Sequence, residues 1–141
     1  MERRRQIEVA AIEAVVSKLE KMGYAITSVE KDNVGYDLEA SRGDEILHVE
    51  VKGRSGPDVC ADLSANEFDC LKQHERKPKE HEHYRVAIVT TALDSPVINE
   101  FVLVRGRKLE WCTLDGRWRL EFEDRTAARL TAVPYSDDST E

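Results

Sequence analysis

Residues 35–53 read GYDLEASRGDEILHVEVKG, and their alternation decides how the middle of the chain folds. Gly43-Asp44 lies between two alternating runs, with glycine first, as a type II′ hairpin turn prefers. That turn sets Arg42 opposite Glu45, Leu38 opposite Val49 and Asp37 opposite Glu50. Side chains alternate between faces with period two. One face then collects Tyr36, Leu38, Ala40, Leu47, Val49 and Val51, all suited to a core. The other collects Asp37, Glu39, His48, Glu50 and Lys52, with Ile46 as its one apolar member. A register slip of one residue would scramble both faces.

Opposed β-carbons lie roughly 5 Å apart, and like charges placed there destabilise a sheet. Asp37 facing Glu50 is therefore costly unless a cation lies between them. Two carboxylates at that separation suit Mg²⁺ or Mn²⁺, which take oxygen ligands and retain waters for a substrate to displace. Lys52 points to the same side, where an ammonium can orient a metal-activated water or offset charge building on a phosphate. A solvated, merely decorated sheet face is the plainer alternative. The opposed aspartate weighs against it.

The rest of the chain places this hairpin. With 141 residues it is long enough for one domain with a real core. No apolar run is long enough to cross a bilayer, and the start, MERRRQIE, has no signal-peptide core. Cys60, Cys70 and Cys112 are odd in number and lack CxxC spacing, so a reducing cytoplasmic setting is expected. A net charge of −7 argues against a constitutive duplex binder that works by phosphate neutralisation. Asp137, Asp138 and Glu141 supply three of those charges, in a stretch from 134 to 141 read as an acidic flexible tail.

Apolar residues recur at helical spacing from Ile7 to Met22, and Gly23 is placed to end that helix. A strand is expected at about 25–30, then the hairpin. Ser64 and Glu67 have the spacing of a capping box, which predicts a helix over 65–76. YRVAIVTTA reads as a strand buried on both faces. Further strands are expected at 98–104, 109–114 and 117–123, the last two joined at Asp115-Gly116. The order is α-β-β-β-α-β followed by extra strands.

Asp37, a gap of twelve residues and then Glu50-Val51-Lys52 resemble the D…(D/E)-x-K signature of the PD-(D/E)xK restriction-endonuclease-like nucleases. More narrowly, IEVAAIEAV at 7–15, NVGYDLEA at 33–40, HVEVKGRS at 48–55 and LSANEF at 63–68 resemble the NO VEIN C-terminal-like domain. The resemblance runs from the first helix to about residue 133, which is read as one domain, 1–133. It implies an α/β restriction-endonuclease-like αβββαβ core, a mixed central sheet flanked by helices, with an extra C-terminal β-hairpin. It also implies a metal-dependent hydrolase of nucleic-acid phosphodiesters, DNA before RNA, with a helicase or ATPase as partner in a defence or DNA-processing system. Asp37 and Glu50 would hold Mg²⁺ or Mn²⁺, with the Val51 carbonyl as a third ligand and Lys52 as the catalytic lysine. A glutamate of the first helix, Glu8 or Glu13, would join them. Tyr36 stands where the superfamily has proline. The alternative within the same fold is an inactive module that binds nucleic acid or a protein.

His48, Arg54 and Asn66 are accessory candidates. His48 shares the polar face, Arg54 follows the lysine closely enough to hold a phosphate, and Asn66 opens the second helix. Glu67 is read as the capping partner of Ser64. His74, His81 and His83 lie in a charged stretch without cysteine support, so a zinc site is not expected there.

Overall fold

The computed structural model describes residues 2–123 and 128–135. Helix α1 (Arg3–Lys21) buries Ala11, Val15 and Leu19 at the three-to-four spacing that places residues on one helical stripe. It leads through Gly23 into β1 (Ala25–Ser28), and a 3-10 turn at Glu30–Asp32 separates β1 from the hairpin. The hairpin strands are β2 (Leu38–Arg42) and β3 (Glu45–Gly53). Their ladder runs from Arg42↔Glu45 to Leu38↔Val49, the register expected from the turn. Gly43, at φ +60°, takes the left-handed turn position.

After β4 (Cys60–Leu63) comes α2 (Ala65–Arg76), whose predicted limits match and whose Ser64–Glu67 capping box is complete. Then follow β5 (Glu82–Thr90), β6 (Val97–Arg105), β7 (Leu109–Thr113), β8 (Trp118–Glu123) and β9 (Ala128–Pro134). Among the described residues these strands form one mixed sheet in the order β1-β2-β3-β5-β6-β7-β8-β9-β4. β3 and β5 pair in parallel, and the other ladders are antiparallel. Two elements were not foreseen. No strand is expected between the hairpin and α2, yet β4 forms there and pairs with β9, which also lies outside the expected strands. Their union curls the sheet and makes α2 part of its interior.

The core accordingly has two parts. On one face, α1 packs on Leu38, Ala40, Leu47, Val49 and Val51, together with Ala87 and Val89 of β5. On the other, Leu71 of α2 meets Val86, Ile88, Phe101, Trp111 and Leu130. β5 feeds both, which explains its nearly continuous apolar sequence. Tyr36 departs from the expected parity. It stacks on His48, with ring centroids 4.3 Å apart, and meets Tyr84 edge-on, so it belongs to the α2 side. The reason is that regular pairing stops at Leu38; residues before it are outside the strand and free of its alternation. The three cysteines are free thiols. Among the described residues no helix is long and apolar enough to cross a membrane. Pro134 ends β9 and Tyr135 donates its N–H to Arg117 O; the remaining tail residues, 136–141, lie outside the described ones.

Candidate functional site

The site is built where the chain enters the hairpin. Gly35 is buried at φ +96°, and a β-carbon on it would sit 2.6 Å from Cys70 Cβ. Only glycine lets the chain pass this close under α2. Two residues on, the Asp37 N–H donates to Val49 O at 3.0 Å, and Asp37 Oδ2 accepts from the Val51 N–H at 2.9 Å. The aspartate is thus not a ladder partner of Glu50. Its carboxylate is instead bonded onto the β3 backbone beside Glu50.

Glu50 and Lys52 alternate along β3 and pair in register with Val86 and Ile88, so they point to the α2 side of the sheet. Lys52 Nζ lies 3.2 Å from Glu50 Oε2 and 2.8 Å from Glu67 Oε1. The same Glu67 oxygen accepts from the Ser64 N–H at 2.9 Å, while the Glu67 N–H donates to Ser64 Oγ at 3.2 Å. The capping box that starts α2 therefore also carries the anion that holds Lys52. Helix nucleation and site assembly share one side chain.

Burial sets the electrostatics. Glu50 is only 2% exposed, and its Oε1 has no hydrogen-bond partner. Desolvation pushes its carboxyl up to about 10; Lys52 opposes this, while Asp37 and Glu67 add to it. Burial also raises Asp37, against the Val51 N–H and Lys52. For Lys52 burial acts downward, but Glu50 and Glu67 outweigh it and hold the ammonium above its usual range. Burial would raise Glu67 too, yet Lys52 and the Ser64 N–H keep it below the usual carboxylate range. Burial thus favours the neutral form of Glu50, beside a Lys52–Glu67 ion pair.

A buried acceptor without a partner is expensive, and acids crowded around it add repulsion. A cation would relieve both. Asp37 and Glu50 offer hard oxygen donors, the chemistry that suits Mg²⁺ or Mn²⁺. Among the described residues no group of three or more His, Cys, Asp or Glu is placed to hold a metal. An ion bound by Asp37 and Glu50 would have two carboxylates and the neighbouring backbone as donors, and would have to retain much of its water.

A cleft of about 350 Å³ brings Asp37, Glu50, Val51 and Lys52 together. Glu8 and Arg54 also line it, although Glu8 is paired with Arg5 at 3.3 Å. The other accessory candidates lie elsewhere. Glu13 is exposed on α1 and outside the cleft. Asn66 Nδ2 donates to Asn33 O at 3.0 Å. His48 is outside as well; its Nδ1 is 3.2 Å from His74 Nε2, and its Nε2 faces Glu82 at 3.7 Å and Glu39 at 3.9 Å. Burial, helped by His74, holds His48 below its ordinary value. Three acids had not been singled out for the site: Glu67, Glu30 and Asp62 all line the cleft. Only Glu67 left a sequence signal, and the capping box had already explained it.

Comparison with curated proteins gave no match. A family model did match, over residues 7–103, from α1 into β6, a span that includes Asp37, Glu50, Lys52 and Glu67. β7, β8 and β9 lie beyond it. The matched span is well over half of the chain, and the protein belongs to the family described as Protein NO VEIN, C-terminal.

Proposed function

We propose that this domain is a metal-dependent nuclease of the PD-(D/E)xK, restriction-endonuclease-like type, hydrolysing phosphodiester bonds of nucleic acid, DNA before RNA. The observation that carries the reading is Glu50: a fully buried acid with an orphaned oxygen, flanked by Asp37 and Lys52 in an accessible cleft. Asp37 and Glu50, with the Val51 carbonyl, would hold Mg²⁺ or Mn²⁺. When bound, such an ion polarises a phosphoryl oxygen and acidifies a coordinated water. The protein's own part is positioning. Lys52, fixed by Glu67, presents an ammonium that can orient the attacking water and offset charge on the phosphate. Arg54 and Arg4 line the same cleft and provide cationic contacts for a phosphate backbone. The net acidity suits a domain delivered to nucleic acid by a cytoplasmic helicase or ATPase partner rather than by its own long-range attraction.

One observation favours a second reading, a non-cleaving module of the same fold. Lys52 is already claimed by Glu67 at 2.8 Å, an arrangement that stabilises the resting protein without substrate. Purified protein incubated with Mg²⁺ or Mn²⁺ on plasmid, linear duplex, single-stranded DNA and RNA separates the two. The nuclease reading expects cleavage that Asp37→Ala and Lys52→Ala each reduce by about 100-fold or more, the scale of losing a principal catalytic group. Cleavage indifferent to both changes would overturn it. Absence of cleavage, together with no Mn²⁺ uptake by calorimetry, would leave the binding module.

A further inference from the structure

A second cavity lies apart from the acidic cleft. It holds about 510 Å³ and lies between β5 and β6, where the sheet splits. β5 pairs with β3 along the whole stretch from Ile46↔Glu82 to Gly53↔Val89. Its ladder with β6 covers only Val86↔Phe101 to Thr90↔Val97. β6 in turn pairs with β7 from Phe101↔Thr113 to Arg105↔Leu109. Residues 82–85 and 102–105 therefore each have one sheet neighbour, and their second edges face one another across the gap. Facing edges of this kind carry backbone N–H and C=O groups with no ladder partner, the template that extended peptides add to.

We propose that this fork is a docking slot for an extended peptide segment of a partner protein, one that carries an acidic side chain next to an apolar one. Each wall is four residues long, about 13 Å at roughly 3.3 Å per residue, which accommodates a short strand. Because β5 and β6 run antiparallel, a strand between them lies parallel to one and antiparallel to the other. Leu103 and the exposed Leu114 line the cavity and offer apolar contact, over a floor made by the buried rings of Tyr84 and Trp111. Trp111 is fixed there by its Nε1–H, which donates to Glu75 Oε2 at 2.7 Å. Of the other charged lining residues, Lys79 lies by Glu82, Glu45 by His83 and Arg85 by Glu100, which leaves Arg105 to receive an incoming charge. Its Nη2 donates to the His74 and Glu75 carbonyls at 3.3 Å each, and among the described residues it meets no carboxylate. An incoming acid would supply one. None of these residues lines the acidic cleft, so the slot stands or falls independently of the nuclease reading.

The test uses a random heptapeptide display library panned on the full chain, followed by synthesis of the recovered peptides. Recovered sequences should pair an acidic with an apolar residue. Calorimetry should show Arg105→Glu weakening them by about tenfold or more, with recovery when the peptide's acid becomes lysine. On the unaltered protein, hydrogen exchange should slow at the backbone amides of 82–85 and 102–105 when peptide is added. This measurement needs no variant to fold. The proposal is overturned if panning yields no binder, if the recovered peptides bind Arg105→Glu as well as the parent, or if protection appears elsewhere. Peptide-free protein that dimerises with concentration and protects those same amides would also overturn it, assigning the fork to a second copy of this chain.

Discussion

Glu50 and Glu100 are both buried acids on neighbouring parts of one sheet, 2% and 5% exposed, and their surroundings differ completely. Glu100 on β6 accepts from Lys18 of α1 at 2.6 Å and from Arg85 of β5 at 2.8 Å. Burial alone would raise its carboxyl, but these two cations outweigh it and hold Glu100 below the usual carboxylate range. Glu50 has one cation, which it shares with Glu67, and an oxygen with no partner at all. The first arrangement clamps a helix to a sheet. The second is unfinished as structure, and a site is the economical explanation, since local conflict with good packing concentrates where function demands it.

The contrast can be broken most forcefully at Glu100. Glu100→Ala leaves the mostly buried Arg85 without its anion while the more exposed Lys18 can turn to water, so the cost falls below the roughly 3–5 kcal/mol of a fully buried pair, to about 2–3 kcal/mol. Urea unfolding followed by far-ultraviolet circular dichroism measures it; a change below about 1 kcal/mol would mean that the clamp is idle.

Acid titration gives a smaller effect with a definite sign. Glu100 has a folded pKa below its ordinary 4.5, so its stabilisation is fully present above that value and fades as pH falls through the depressed one. Unfolding free energy should therefore drop below pH 4.5 at up to about 1.4 kcal/mol per pH unit for this group. Glu100→Gln should flatten that limb of the curve. An unchanged slope would remove Glu100 from the account.

The smallest stability change is expected at Glu50, with the opposite sign. Its folded pKa is raised, so its contribution is intact below pH 4.5 and is lost as pH rises toward about 10. Glu50→Gln removes the need to take up a proton on folding and should stabilise the protein at pH 7 by about 1 kcal/mol, as replacement of buried charge often does. That advantage should vanish below pH 4.5, where the unfolded chain is protonated too. A destabilised Glu50→Gln at pH 7 would make Glu50 a structural acid like Glu100.

Much of the hairpin was legible in advance because strand parity is local. Leu38 to Val51 alternate, Gly43 fixes the turn, and register follows from both. The capping box gave α2 its limits for the same reason: its bonds join residues three apart. The failures lie where partners are remote. Tyr36 obeyed no parity because its strand had not begun. His48 shares the face of Glu50, yet it faces His74, Glu82 and Glu39, well along the sheet from Lys52. Glu67 had a complete local explanation, so nothing in the sequence pointed to a lysine fifteen residues away.

By itself, then, the sequence determined most of the elements (β4 and β9 excepted), the hairpin register and the placing of Glu50 and Lys52 on one face, all consequences of periodicity and turn chemistry within a few residues. The tertiary structure decided what covers that face. β4 pairs with β9 across just over seventy positions of chain (Cys60↔Thr131) and the sheet curls, bringing α2 over Glu50. That burial turns a pair of carboxylates into an unsatisfied acid beside a clamped lysine. It depends on a desolvation free energy, which no short stretch of sequence contains.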